Sequence, residues 1–520
     1  MTQVANAVSD TTSRLCIGFD SVAGVMLQAS AVEGDYHEEG VESKVTIKVC
    51  ESLEELSQGL QIDASMSISF LKAANFSAKM SFMRSLNVTE HSLSIVVHIA
   101  NGIGRWFAKN VALTQEAKAK VPAVDDDAAA VDFVRQYGDS YISAVTLGGE
   151  YYAVYTFRTT TKVEQSRLSA ELKAGGVYNG ITAGTEVQTK ITDFLKSTNV
   201  RSTFEQQITG IKGLSLPTSD KMIQFALNFP RERMNSPAMT DFAVARYENV
   251  ENFGRGFDTV ARNRNHFVDD KRGVLVSLAH LNGVAHQINR LLDIYEVYNF
   301  KDEALEALEK QVEADLATID AQIAAWRDNP VGDFAKPDLP SVAMGEPWLD
   351  YSIGRIAAFG GESGPPFEFM TVGDAFHDRV RIEWIQLADG RYNGYDVMRG
   401  IAIGYISDKG RWTQLHGHGH KGNNRRKLNF EGLFPSMLRI RHGGFVDAIE
   451  LTLEDGNTTS AGGPNGVPVE WKPQPGGVVL GFAGRAGEVL DQIEIVHGSL
   501  KPAQYARPRR NPRPRQALAA

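Results

Sequence analysis

Tyr137-Gly138-Asp139-Ser140-Tyr141-Ile142-Ser143-Ala144-Val145-Thr146-Leu147-Gly148-Gly149 joins two aromatic residues to a double glycine, with six residues between Tyr141 and Gly148. Taken alone, the stretch describes a strand with edge aromatics, ended by a glycine turn. Adjacent glycines also relax the steric limits on backbone dihedrals, so a sheet can bend or twist sharply where they fall, at a cost in chain entropy. The flanking sequence has to decide between these readings.

On the N-terminal side Ile62, Ala64, Met66, Ile68 and Phe70 alternate with Asp63, Ser65, Ser67 and Ser69. After a break near Lys72 to Asn75 the pattern resumes with Phe76, Ala78, Met80 and Phe82 against Ser77, Lys79 and Ser81. On the C-terminal side Leu168, Ala170, Leu172 and Ala174 alternate with Ser169, Glu171 and Lys173, and Ile181, Ala183, Val187 and Ile191 follow a glycine-containing turn. Period two reads as strand, so each pair of arms makes a hairpin with one apolar and one wet face. In a water-soluble sheet such a strand is half buried. In a transmembrane barrel the apolar face meets lipid and the polar face lines the lumen. Here the polar faces carry Ser, Thr, Lys, Glu and Gln, which suit a wet lumen, and arms of about 9 to 11 residues are long enough to cross a bilayer as tilted strands.

With these flanks, Tyr137-Gly138-x-x-Tyr141 followed by Gly148-Gly149 resembles the signature of the membrane attack complex/perforin (MACPF) superfamily, an aromatic-Gly-Thr/Ser-His-aromatic group followed six residues later by Gly-Gly. The sequence departs from it at Asp139, where Thr or Ser is usual, at Ser140, where His is usual, and at Ala130, where an aromatic is common. Leu15-Cys16-Ile17-Gly18-Phe19-Asp20 resembles the opening strand of the same family. The resemblance implies an α+β fold over residues 1–330: a bent, twisted antiparallel central sheet flanked by helical clusters, with Tyr137, Gly138, Tyr141, Gly148 and Gly149 as signature and hinge. It further implies that residues 62–83 and 168–192 are helical in a soluble monomer and refold into two membrane-inserting hairpins per subunit of a ring-shaped homo-oligomer. The barrel must then close, because an unpaired strand edge in lipid leaves backbone amides unsatisfied at several kcal/mol each.

Between Asp269 and Ala325 apolar residues recur at three and four, a helical pattern explained by core packing. Pro330, Pro337, Pro340 and Pro347 mark a linker at 331–347, after which turns are dense and helical periodicity stops, giving an all-β domain over 348–500. An aspartate precedes an alternating apolar strand three times, at Asp378, Asp447 and Asp491, which suggests a threefold β-prism. The last copy, Gly481 to Asp491, resembles jacalin-like lectins, in which a Gly-x-x-x-Asp loop and an N-terminal double glycine form a sugar pocket. That resemblance implies carbohydrate binding at Gly360, Gly361, Gly487 and Asp491, with a second pattern at Gly443 and Asp447; Gly373 lies five before Asp378, so the first copy departs. Glycines let backbone amides approach a hydroxylated ligand, and one carboxylate accepts bonds from two sugar hydroxyls. The competing reading is that these aspartates only cap turns. Phe445 stands nearby as a ring for stacking on a sugar or for the core.

Composition narrows the classes. A chain of 520 residues with 42% hydrophobic and 22% charged side chains has enough apolar content for two or three domains. Its formal charge of -9 argues against a general nucleic-acid surface, although Arg507 to Arg515 is basic and residues 501–520 read as a disordered tail. Cys16 and Cys50 fit either one bridge or two free thiols. No secretory signal is visible, and no run of about 18 apolar residues occurs, so entry into a membrane would be as a barrel. His416, His418 and His420 alternate and raise a metal or a pH-sensitive loop as options, with no acidic or cysteine partner at a recognised spacing. No nucleophile elbow, phosphate loop or catalytic Cys/His context appears, so neither an enzyme, a cofactor nor a bound metal is expected. The expectation is a released soluble monomer that binds a target-cell surface glycan or glycoprotein and then membrane lipid, resembling bacterial insecticidal toxins. The alternative is a non-lytic carbohydrate-binding or adhesion protein on the same fold.

Overall fold

The computed structural model describes all residues except 1–9, 41–42, 52–54, 57–58, 61–81, 83–85, 87–91, 159–161, 175–188, 190–192, 194–201, 270–271, 357, 369–374, 409, 418–423 and 506–520. The described residues form two compact units, one within 10–286 and 310–345, the other within 287–309 and 346–505. The second unit is therefore wider than the 348–500 stretch, since it takes in Gln287–Glu309 and its last strand runs to Tyr505.

The first unit is built on one antiparallel sheet of β1 (Gly18–Asp20), β2 (Val25–Met26), β3 (Val32–Glu39), β4 (Lys44–Cys50), β5 (Ser92–Leu113), β6 (Ser140–Arg158), β7 (Ser202–Thr209) and β8 (Ala238–Arg246). The long strands β5 and β6 lie side by side at its centre. Both their faces are apolar. Leu93, Ile95, Val97 and Ile99 share one core with Tyr151, Ala153, Tyr155 and Phe157. Val96, Tyr152 and Val154 share another with Cys50, Leu56, Leu60, Phe82 and Leu86. A sheet that is apolar on both sides has to be covered on both. Helices Lys162–Ala174 and Met222–Asn228 cover the first face through Leu168, Leu172, Met222, Ile223 and Ala226.

The double glycine falls where this sheet changes neighbours. From Ser140 to Gly148, β6 pairs with β8; from Glu150 to Phe157 it pairs with β7. At the same level β5 passes from β4, paired over Ser94–Ala100, to β3, paired over Arg105–Leu113, with a register shift between Gly102 and Gly104 opposite Gly148. A Cβ on Gly148 would stand 2.2 Å from the Asn101 carbonyl oxygen, and one on Gly149 2.6 Å from that of Thr209. Side chains are excluded there by the close approach of neighbouring backbone. Tyr137 is helical: it ends the helix Asp127–Tyr137, and Gly138, at φ 78°, turns the chain toward β6. Tyr141 lies within β6, 6% exposed, its ring 5.6 Å from that of Tyr247.

One expectation changes here, and residues 168–174 are helical, as the resemblance implied for the monomer. The alternation over Leu168–Ala174 is the surface of a helix, in which Gln165, Leu168, Ser169 and Leu172 are buried while Ala170 and Glu171 are exposed, the i, i+3, i+4, i+7 stripe of a packed face. Leucines four apart fit period two and period 3.6 equally, and burial selects the second. The opening strand is shorter than Leu15–Asp20, since only Gly18–Asp20 is strand and Cys16 turns with φ 67°. Phe82 is buried in the second core; Ile62, Ala64, Met66, Ile68, Phe70, Phe76, Ala78 and Met80, and Ile181, Ala183, Val187 and Ile191, lie outside the described residues. Cys16 and Cys50 are buried free thiols. Among the described residues no helix is long and apolar enough to cross a membrane.

The second unit opens with β9 (Pro347–Arg355), β10 (Phe359–Gly360) and β11 (Pro366–Phe367). It continues with β12 (Arg381–Tyr392), β13 (Tyr395–Ser407), β14 (Gly410–Gly417) and β15 (Asn424–Asn429), then β16 (Pro435–His442), β17 (Val446–Leu453), β18 (Thr458–Gly462) and β19 (Val467–Trp471), and ends with β20 (Gly477–Ala486) and β21 (Leu490–Tyr505). They form three sheets, each a central hairpin (β12-β13, β16-β17 or β20-β21) with an edge strand on either side. In two sheets both edges follow the hairpin in sequence; in the third they precede it, as β9 with β10 on β21 and β11 on β20. The same Greek key is thus closed by the first and last strands of the unit. The second strands of the hairpins, β13, β17 and β21, contact one another, which makes the three sheets a prism. Residues Gln287–Glu309 are fastened to it: the Tyr298 hydroxyl donates to the carbonyls of Ala375 and Val380 at 3.0 and 2.9 Å, and the Asp302 carboxylate accepts from the Ala503 amide at 2.7 Å.

Candidate functional site

Each central hairpin of the prism carries one β-bulge at the same place. Ala486 pairs with Leu490 and Arg485 with Gln492, leaving Asp491 as the extra residue. His442 pairs with Val446 and Arg441 with Ala448, leaving Asp447. Asp389 pairs with Met398 and Ala388 with Gly400, leaving Arg399. A bulge re-aims the side chain of its extra residue, so the three bulges present two carboxylates and one guanidinium at corresponding positions.

Around both carboxylates the backbone is bare. Asp491 Oδ2 accepts the Gly487 amide at 2.9 Å, and a Cβ on Gly364 would come within 2.4 Å of that oxygen. A Cβ on Gly466 would come within 2.3 Å of Asp447 Oδ2. Gly364 and Gly466 take φ 77° and 76°, left-handed backbone that glycine adopts without strain. One turn earlier, Gly360 and Gly462 sit at φ 117° and 101°, each where a Cβ would strike the carbonyl oxygen of Asp491 or Asp447 at 2.1 or 2.0 Å. The following amides, of Gly361 and Gly463, donate to those same carbonyls at 2.8 and 3.0 Å. Arg485 Nη1 braces the Gly364 carbonyl at 3.0 Å, and Arg441 Nη1 holds those of Pro464 and Gly466 at 3.0 and 3.3 Å. Asp491 and Asp447 are 4% and 8% exposed, at the foot of loops that face solvent. Burial raises the Asp447 carboxyl above its ordinary range, opposed by the nearby charges of His442 and Arg441.

The structure thus brings Gly360, Gly361, Gly487 and Asp491 together, and sets Gly443, 3.6 Å from Asp447 Oδ2 as judged from an added Cβ, beside Asp447 in a second copy. Sequence reasoning missed Gly364, Gly462, Gly463, Gly466 and the two bracing arginines. The signals were present: Gly-Gly-x-x-Gly occurs at Gly360 and at Gly462, and Arg-x-Gly-x-x-x-Asp at Arg485 and at Arg441. The repeat drawn through Asp378 is corrected. Asp378 precedes β12, the first strand of its hairpin, whereas Asp447 and Asp491 sit at the start of second strands, so the position corresponding to theirs holds Arg399. Phe445 packs edge-on against Tyr392, with centroids 5.6 Å apart.

His416 is stacked on Phe367 at 4.0 Å, and burial lowers its imidazole below the ordinary value. His418 and His420 lie outside the described residues, and among the described residues no three His, Cys, Asp or Glu side chains cluster as metal ligands.

No known family profile matches the chain, and no curated protein matches it. Among solved structures it is similar to Malaysian banana lectin (20% identity, TM-score 0.24, covering 29% of this chain and 99% of that one). It is also similar to a mannose-binding jacalin-related lectin from Ananas comosus (15% identity, TM-score 0.24, 28% and 96%). A third is artocarpin complexed with methyl-α-mannose (21% identity, TM-score 0.23, 28% and 97%).

Proposed function

We propose that the chain is a pore-forming protein that docks on target-cell glycans through Asp491 and Asp447 and perforates the membrane with its first unit. The observation that carries the docking half is duplication. Two loops of different sequence hold a carboxylate on a bulge, set against its Oδ2 a glycine whose Cβ would collide with it, and are themselves braced by an arginine on their carbonyls. Turn-capping alone needs neither the bare backbone against the carboxylate nor its repetition. A carboxylate flanked by bare backbone accepts two hydroxyls of one sugar ring while the ring itself lies against the glycines.

Support for perforation comes from the double glycine, where both central strands exchange partners at one level, and from the sequence pattern of residues 62–83 and 168–192. In this reading bound monomers assemble into a ring, the two halves of the sheet part at Gly148-Gly149, and those segments unroll into two hairpins per subunit. Resemblance to insecticidal toxins points to insect cells as the target.

The test is dye release from glycan-bearing vesicles, read beside negative-stain images. Asp447→Asn with Asp491→Asn should abolish surface binding and leakage together. A zero-length amide cross-link between Lys173 and Glu51, whose side chains meet at 2.7 Å, should abolish leakage and spare binding. Binding without rings or leakage by the unmodified protein would make it a non-lytic glycan-binding protein instead.

A further inference from the structure

We propose that the third bulge, at Arg399, is a binding position for acidic saccharides, bearing carboxylate or sulfate, and so differs in ligand class from the two carboxylate sites. The inference rests on reading this end of the prism as glycan-binding. Its geometry is the shared register. Gly417 on β14 pairs with Gly400 as Gly462 pairs with Ala448 and Gly360 with Gln492. Gly417 also keeps positive φ, 69°, and its Cβ would fall 2.8 Å from the Arg399 carbonyl, as those of Gly462 and Gly360 fall on the carbonyls of Asp447 and Asp491. The bulge and its pairing with a positive-φ glycine are therefore retained while the charge of the bulge residue is inverted.

The surroundings keep that charge available. Among the described residues no carboxylate pairs with Arg399; its guanidinium lies 5.5 Å from the centre of the Tyr392 ring, and the residue is half-buried. The two nearest acids in the hairpin are otherwise engaged: Asp389 is buried and accepts the Gly462 amide at 2.9 Å, and Asp396 faces Arg391 at 3.8 Å. Arg425, exposed on β15 opposite Ala388, adds a second cation to the same sheet. The arginine that braces the glycine loop in the other two copies is replaced by Ala388. A guanidinium in a fixed fork binds carboxylate or sulfate through paired N–H bonds and offers nothing to a neutral ring that needs an acceptor. Its hold on an exposed anion weakens as salt rises.

The experiment is titration of the full chain with glucuronic acid, a sulfated hexose and a panel of neutral methyl hexosides, using the unmodified protein, Arg399→Ala, Arg399→Lys and the Asp447→Asn/Asp491→Asn double variant. Thermal unfolding of each variant checks that it is folded, and Arg399→Lys, which keeps the charge but loses the fork, serves if Arg399→Ala is not. The expected result is a loss of acidic-sugar affinity of tenfold or more in Arg399→Ala and a partial loss in Arg399→Lys, with neutral binding unchanged in both. The double variant should lose neutral binding and keep acidic binding. Glucuronic acid against the sulfated hexose separates carboxylate from sulfate. Acidic-sugar binding unchanged in folded Arg399→Ala, or no acidic sugar bound by the unmodified protein, overturns the proposal; neutral binding that survives the double variant overturns the carboxylate sites and leaves this one standing.

Discussion

Replacing Gly364 by alanine separates the cost of a strained turn from the cost of displacing a carboxylate, because the hairpin tip at Gly394 supplies an internal control. Both glycines have left-handed backbone, φ 77° and 87°. Alanine in that region costs about 1–2 kcal/mol on steric grounds alone. At Gly394 nothing lies within 4 Å of the added Cβ, so the backbone cost is the whole cost. At Gly364 the methyl would stand 2.4 Å from Asp491 Oδ2 and 3.0 Å from the Gly487 amide nitrogen, so the carboxylate has to leave and its 2.9 Å bond to that amide is lost. A hydrogen bond to a charged group contributes about 1.5–3 kcal/mol, which puts Gly364→Ala at about 2.5–5 kcal/mol against about 1–2 for Gly394→Ala. Urea unfolding followed by prism tryptophan fluorescence, beside sugar titration, reads both quantities. Gly364→Ala should also remove one of two neutral-sugar sites, and Gly466→Ala, whose methyl would stand 2.3 Å from Asp447 Oδ2, the other. Equal stability loss in Gly364→Ala and Gly394→Ala, with the number of sites unchanged, would show that the glycines serve the turn and not the carboxylate.

Leu168→Ala and Leu172→Ala, at positions 1% and 2% exposed, should each cost about 2–5 kcal/mol in chemical unfolding, whereas Ala170→Ser, on the exposed face, should stay within about 0.5 kcal/mol; a large loss at Ala170 would contradict the helical packing. Arg264→Ala strips the buried Asp139 of the guanidinium 3.6 Å away and should cost about 3–5 kcal/mol, with no comparable loss at the exposed Arg135. Burial first, and then the nearby charge of Asp20, raises the Asp139 carboxyl to about 6. Because the folded value lies above the unfolded 3.8, the folded state binds the proton more tightly, and stability falls as pH rises between those values and levels off above about 6. Thermal unfolding against pH should show that slope in the unmodified protein relative to Asp139→Asn, and parallel curves would remove Asp139 as its source.

The sequence pattern made part of the sheet legible and its pairing illegible. The strand β5, with Leu93, Ile95, Val97 and Ile99 on one face and Val96 on the other, was passed over in the sequence, and nothing local says that β4 and β3 share it end to end. Partner exchange is a long-range property, and the residues that permit it, Gly148 and Gly149, are read from spacing only as a place where bending is cheap. The helix Lys162–Ala174 carries a related ambiguity: leucines four apart with alanine between them satisfy both periods, and the sheet face beneath decides which one the monomer adopts.

In the prism the limit was different. Aspartates before apolar strands were visible, but the bulge that turns a particular aspartate toward its glycine loop is a one-residue mismatch between two strands and leaves no mark on either strand alone. That is why Asp378 looked like a third copy and Arg399 did not. At the bulges the second strands read Leu490-Asp491-Gln492, Val446-Asp447-Ala448 and Met398-Arg399-Gly400, with a buried apolar residue before each bulge residue. A fully buried apolar residue stands before the bulge in every copy, whereas the bulge residue beside it differs in charge from copy to copy. Fold and ligand choice are therefore carried by adjacent residues on one strand, and a search for repeats weighted toward the chemistry-bearing residue aligns the wrong strands when one copy has changed its chemistry.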